Sequence, residues 1–181
     1  MSSWKVMVLL AICGAIPLLP QAEGWKPTCE KSLVAFVQGF YDWYVPLALK
    51  TDATPSEGLA LRTRASLFSR ELLQALEEDY DAQAKTQGEM VGLDFDPFLA
   101  SQDPCEHYVV GTIARRGACY RVSIHAVCSG RESREPDVVA ELVRRDKTWV
   151  FTNFHYPRVG SDLLGVLRNL REERKKAHMG H

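Results

Sequence analysis

The chain has 181 residues and a formal net charge of −1, with 25% of its residues charged and 46% apolar. That is ordinary globular composition, and near neutrality argues against a nucleic-acid partner, which calls for a clearly basic surface. The one basic cluster, Arg168, Arg171, Arg174, Lys175 and Lys176, is interrupted by Glu172 and Glu173 and reads as a solvated helix face.

The chain opens as an export signal. Lys5 is the only charge before an apolar run from Val6 to Leu19, which ends at Pro20-Gln21-Ala22. A basic start, an apolar centre and a small residue for cleavage are the layout of a secretory signal peptide. The run is about 14 residues, short of the roughly 20 needed to span a bilayer as a helix. Cleavage is expected after Ala22, with Gly24 as the second choice. That makes residues 1–22 the signal peptide and 23–181 one domain, with a short polar tail from about 175. The expected location is periplasmic or secreted, with no transmembrane segment after processing. Lipidation is not expected, because Cys13 lies inside the apolar run and follows Ile12 rather than a small residue.

Four cysteines remain: Cys29, Cys105, Cys119 and Cys128. In an exported chain they suggest two disulfides, with three possible connectivities. Their spacing does not read as a zinc site, since there is no close cysteine pair with a histidine at ligand distance. No metal and no cofactor are expected.

Residues 29–45 read as a helix, because Leu33, Phe36, Val37, Phe40, Tyr41 and Tyr44 recur at three- and four-residue spacing. Thr28 is the expected N-cap and Pro46 the stop. Residues 51–58 read as a turn, with a short helical turn around 59–66. A second helix is expected from Ser69 to Ala84, with Leu72, Leu73, Leu76 and Tyr80 as its stripe. From Gly88 to Pro104 no period holds. The period then becomes two, giving strands over Tyr108–Ala114, Ala118–Val127, Val138–Arg144 and Thr148–Tyr156. Arg116-Gly117 and Asp146-Lys147 are the expected hairpin turns, and 129–136 a polar connection. A last helix is expected from Ser161 to about Lys175. Segregated helices and strands imply an α+β fold: a four-stranded curved antiparallel sheet with helices on its apolar face and a C-terminal helix.

With Arg116-Gly117 as a two-residue turn, Ile113 faces Tyr120, Gly111 faces Val122, Val109 faces Ile124 and Cys105 faces Cys128. Tyr108 and His125 then meet on the more polar face. Directly opposed Cα atoms lie about 4.5–5.5 Å apart, which suits a disulfide, so Cys105–Cys128 is the expected bond. Cys119–Cys128 would require the strand to break, because nine extended steps span roughly 30 Å. Cys29 with Cys119 is the pair left over.

Three stretches occur together in this chain: Phe40-Tyr41-Asp42-Trp43-Tyr44, Gly92-Leu93-Asp94-Phe95-Asp96-Pro97-Phe98-Leu99 followed by Gln102-Asp103, and Trp149-Val150-Phe151 through Tyr156-Pro157. In that order they resemble a family of exported bacterial domains of unknown function, within the nuclear-transport-factor-like and cystatin-like group. The resemblance covers about 33–172. It implies helices packed on a curved antiparallel sheet and a homodimer through the open sheet face. It assigns no reaction and no catalytic residues.

The candidate cleft comprises Tyr41, Trp43, Asp94, Asp96, Asp103, Asn153 and His155. Asp94 and Asp96 are two apart beside Phe95, Pro97 and Phe98. Paired carboxylates can share a proton, hold a cation or act as acid and base, but the commoner use of Asp in a turn is to bind backbone N–H groups, and that is the expectation here. Phe95 and Phe98 are expected to plug the core. His155 ends the last strand, where a histidine can serve as a general base, though a hydrogen-bonded structural histidine is the expectation. Core packing accounts for Phe40 and Tyr44, and less readily for both Tyr41 and Trp43, which point to nearly opposite sides of the helix; one of them is a candidate to line a groove. The leading functional reading is an exported, non-catalytic binding or interaction domain for a protein or small ligand. The second is a small hydrolase or isomerase using His155 with Asp94 or Asp96. The third is an inhibitor or immunity-type protein against a cell-wall enzyme, for which 129–136 is the candidate protruding loop.

Overall fold

The computed structural model describes residues 27–50, 55–85 and 92–179. The expected signal peptide, with Cys13, lies outside them. The first helix, α1, spans Pro27–Ala48. Its buried residues Leu33, Val37, Phe40, Tyr41 and Tyr44 keep the three- and four-residue spacing that makes one apolar face. Pro46 does not end it, contrary to expectation. Proline removes one backbone donor, and buried Val45 keeps the last turn on the core while Leu49 N–H donates to its carbonyl at 3.0 Å.

The second helix, α2, spans Ser56–Arg64 and continues as a 3₁₀ turn over Ala65–Leu67. It is longer than the single turn expected and begins inside the stretch read as a turn. Only Gly58, Ala60 and Leu61 are buried in it, too few to show a period, so packing decides what local pattern does not. The third helix, α3, spans Arg70–Lys85. Ser69 caps it, its hydroxyl accepting from Leu72 N–H at 3.2 Å, and Leu72 and Leu76 face inward.

The sheet is antiparallel. Its strands are β1 (His107–Arg116), β2 (Cys119–Cys128), β3 (Arg131–Glu132), β4 (Val138–Arg145), β5 (Thr148–Tyr156) and β6 (Ser161–Asp162). They run in the order β1-β2-β4-β5-β6, with β3 beside the end of β2. The four long strands lie where alternation placed them. Among the described residues the expected count of four becomes six, because β3 and β6 are dipeptides, too short for any period. Ser161 and Asp162 pair with Tyr156 and His155, so the last helix, α4, begins later than expected and runs from Leu163 to Met179. Alternation on β5 puts Trp149, Phe151, Phe154 and Tyr156 in the core with α1, α3 and α4. A bulge at Thr152 preserves that facing past Glu141. The side of the sheet away from α1 carries Arg121, Glu141 and His155.

The register of the first hairpin differs from expectation. Arg116 pairs with Cys119, so the turn is Gly117-Ala118, with Gly117 at φ +61°. A bulge between Val110 and Ile113 then shifts the pairing by one. Thr112 N–H donates to the Ser123 hydroxyl at 2.6 Å across that bulge. Gly111 is needed there, since a Cβ would come within 2.6 Å of the same hydroxyl and 2.8 Å of the His125 ring. Past the bulge Tyr108 pairs with Ala126 and faces the core, 3% exposed, rather than the polar side expected for it. The Cys105–Cys128 disulfide is present, with Cα atoms 4.8 Å apart. The turn and the bulge move the pairing in opposite directions, and the disulfide lies just beyond the paired residues. Cys29 and Cys119 are both free, which corrects the second expected pair. Cys119 follows the odd-numbered, outward side of β2 opposite Val143, whereas Cys29 on α1 accepts from Arg144 on the helix side.

The outer edge of β1 has a partner from α1. The Gln38 side-chain amide donates to Tyr108 O at 2.9 Å and accepts from Val110 N–H at 3.0 Å.

Candidate functional site

The loop after α3 is held from below by tyrosines. Asp96 folds back on its own backbone: one carboxylate oxygen accepts from Phe98 N–H at 2.9 Å and Leu99 N–H at 3.1 Å. The other accepts from the Tyr44 hydroxyl at 2.6 Å and lies 3.4 Å from the Ser56 hydroxyl. Two more tyrosines bind the loop backbone. Tyr41 donates to Phe98 O and Tyr156 to Pro97 O, each at 2.9 Å. Phe98 plugs the core, stacking on Phe68, while Phe95 sits edge-on to Tyr156.

Burial pushes the Asp96 carboxyl up to about 6, against the pull of the Tyr44 hydroxyl and the Phe98 N–H and with a further push from nearby Glu57. Burial also raises Glu57, and raises Tyr44 and Tyr41 well above the usual phenol range, with Asp96 adding to both tyrosines. Every oxygen of Asp96 is thus engaged by the fold, and this carboxylate is the turn acceptor that the sequence suggests.

The other expected residues do not join it in one cleft. Asp94 is exposed, and its carbonyl accepts from the Gln102 side chain at 2.8 Å. Exposed Asp103 closes a small turn with the Ser101 hydroxyl. Tyr41 is buried against Tyr108 and the loop backbone. Trp43 is half-buried under the guanidinium of Arg64, 4.8 Å from its ring centre. Tyr41 thus serves the loop and Trp43 serves α2, which accounts for both large rings on opposite sides of α1.

Asn153 starts α4. Its amide donates to Asp162 at 2.8 Å and its oxygen accepts from Leu164 N–H at 3.2 Å. Partial burial would raise Asp162, but the Asn153 amide and the Gly165 N–H outweigh it and hold that carboxyl below its usual range. His155 bonds Glu141 at 3.1 Å, and Arg121 grips the same carboxylate at 3.0 Å. Tyr156 points toward the loop, so its neighbour His155 points to the opposite side of the sheet. The imidazole and the Asp94–Asp96 carboxylates are therefore separated by the sheet. Among the described residues, no cluster of three or more His, Cys, Asp or Glu could hold a metal ion.

The connection at 129–136 is fastened down. Ser129 and Gly130 turn with φ +51° and +72°. Asp137 then accepts from Ala126 N–H at 2.8 Å and from the Ser133 hydroxyl, and pairs with Arg158 at 2.8 Å.

Two grooves flank these elements. One, of about 550 Å³, runs beside Asp94, Phe95 and Gln102 to Lys50 and Glu57. A larger one, of about 690 Å³, lies between α3 and α4 at the β5 edge. None of the expected site residues lines the larger groove. The basic cluster read as a solvated face supplies Arg168, Arg171 and Arg174 to it, and α3 and β4 supply Arg70 and Arg145. The three-residue spacing along α4 is the signal that puts these arginines on one face; their facing partners on α3 could not be read from it. In comparisons with protein-family models, curated proteins and solved structures, nothing matches the chain.

Proposed function

We propose that the chain is an exported, non-catalytic binding domain of the nuclear-transport-factor-like and cystatin-like kind. The observation that carries the reading is the separation of His155 from Asp94 and Asp96. The imidazole and its carboxylate partner Glu141 sit in an arginine-bridged ladder on the outward sheet face. The Asp96 carboxylate is spent on Tyr44 and two backbone N–H groups of its own loop. A general acid–base pair needs both groups within reach of one substrate, whereas open grooves beside well-anchored elements suit binding. The inhibitor reading gains nothing from 129–136, since Asp137 and Arg158 pin the end of that loop.

Saturation-transfer NMR with a mixture of small organic acids, sugars and peptides tests the reading. Compounds should bind and stay chemically unchanged. Conversion of a bound compound, lost in His155→Ala, would overturn it.

Export is supported by the Cys105–Cys128 disulfide, a bond that persists in oxidising compartments. No helix among the described residues is long and apolar enough to cross a membrane. The exported protein should begin near Glu23 and carry one disulfide and no acyl group. Intact mass before and after reduction measures all three, and a lipid-bearing start at Cys13 would refute the processing.

A further inference from the structure

We infer that the groove between α3 and α4 is a binding site for a small organic anion, one carboxylate or phosphate group on an apolar body. The inference rests on the binding-domain reading and gives that reading a site. Both helices start at the β5 edge: Ser69, the cap of α3, donates its N–H to Phe151 O at 2.8 Å, and Leu164 of α4 bonds Asn153 at 3.2 Å. Farther along, the helices are joined by Arg174 to Asp79 at 2.6 Å and Arg171 to Glu78 at 3.5 Å. Those pairs leave the groove's charge uneven. Five arginines and three glutamates line it, and two of the arginines are taken by α3 acids. Arg70, Arg145 and Arg168 have no carboxylate within ion-pair distance among the described residues, although the Arg168 charge acts on Asp162 from farther off. They come from three different elements and converge on one concavity, where only Glu71 of the lining acids belongs to the same first turn of α3.

That arrangement selects the ligand's chemistry. A guanidinium presents a planar fork of donors matched to carboxylate and phosphate oxygens, and gives up its hydration more readily than an ammonium. The wall is not wholly polar: Ala75, Leu164 and Leu167 supply its apolar part. A groove of about 690 Å³ is of the size that holds a small molecule rather than a bare ion. An anion with an apolar body satisfies both parts of the surface, the head at the unpaired arginines and the body along the aliphatic wall.

Three probes with one ring and different heads test this: benzoate, phenyl phosphate and the neutral benzyl alcohol, titrated into the ¹⁵N-labelled protein at up to millimolar concentration. One or both anions should shift backbone amides of Arg70, Ala75, Thr152 and Arg168, and the stronger shows which head the site takes. Benzyl alcohol should not shift them. Arg168→Glu and Arg145→Glu should each weaken anion binding by roughly tenfold, about the worth of one hydrogen bond to a charged group. Because Arg145 makes no ion pair among the described residues, the melting temperature of Arg145→Glu should stay near wild type, which separates lost binding from lost folding. Arg168→Glu also loses the pull of its charge on Asp162 and is read for binding alone. No anion-dependent shift in the groove, or shifts unchanged in both variants, would overturn the inference. Shifts at the Asp94–Asp103 loop instead would overturn it while leaving a binding domain standing. Turnover of phenyl phosphate that disappears in His155→Ala would overturn both.

Discussion

Asp96 is a carboxylate held where water is scarce, and its proton affinity follows. Its carboxyl titrates at about 6, against an ordinary value of 3.8. Between those values the folded chain holds more protons than the unfolded one, so stability falls as pH rises through the window. The contribution is fully present below the ordinary value and is gone above about 6. At 1.36 kcal/mol per unit the swing is about 3 kcal/mol at most. Asp96→Asn cannot ionise and loses this slope. Near neutral pH it should cost about 1 kcal/mol, the net worth of one hydrogen bond, and the deficit relative to wild type should widen as pH falls toward 4. Melting curves of both proteins at several pH values measure it. A deficit that stays constant with pH would show that Asp96 is not protonated in this window. Addition of calcium or zinc should leave the wild-type melting temperature unmoved, because the carboxylate oxygens are already occupied by Tyr44, Phe98 and Leu99.

At the scale of elements, the two main hairpins differ in their turns. Asp146 and Lys147 join β4 to β5 with φ +46° and +69°, the paired positive angles of a turn that favours Asn-Gly or Asp-Gly. Lysine has a Cβ and is strained there. Lys147→Gly should stabilise the protein by about 0.5–1 kcal/mol, the relief being partly offset by glycine's greater unfolded freedom. Chemical denaturation would record the gain as a higher midpoint at unchanged slope, and a lower midpoint would refute it. This turn was legible because the pair Asp146-Lys147 sits between two apolar-rich stretches, 138–143 and 149–154. The first hairpin was not, since Gly111 and Thr112 stand opposite Ser123 and break the count. The bulge at Gly111 and Thr112 leaves no mark on the apolar pattern of β1, so Tyr108 reads as outward until the kink is known. Likewise α2 shows three buried residues and no stripe, whereas α1 and α3 repeat theirs over several turns. The loop acceptor role of Asp96 was legible from Asp in a turn. The clamp of Tyr41, Tyr44 and Tyr156 was not, because it joins residues more than fifty positions apart. The α3–α4 groove was hidden for the same reason.

At the scale of the molecule, the sheet ends on one side at β1 among the described residues, and an unpaired strand can recruit another chain by adding a strand. The Gln38 amide, a side chain from α1, occupies the hydrogen-bonding positions that such an intruder would need at Tyr108 and Val110. Farther along, exposed Arg115 and Arg116 oppose stacking by like charge. One glutamine therefore acts as a one-residue counterfeit strand and guards against self-templated assembly. Gln38→Leu keeps the helix and much of the side-chain volume but leaves a carbonyl and an N–H open on that border. Its loss of stability should be modest, about 1 kcal/mol. Its solubility should suffer more: light scattering during storage at high concentration should rise in the variant well before it does in wild type, with β-rich aggregates as the product. Equal scattering from both would mean that the bulge and the arginines protect the border unaided.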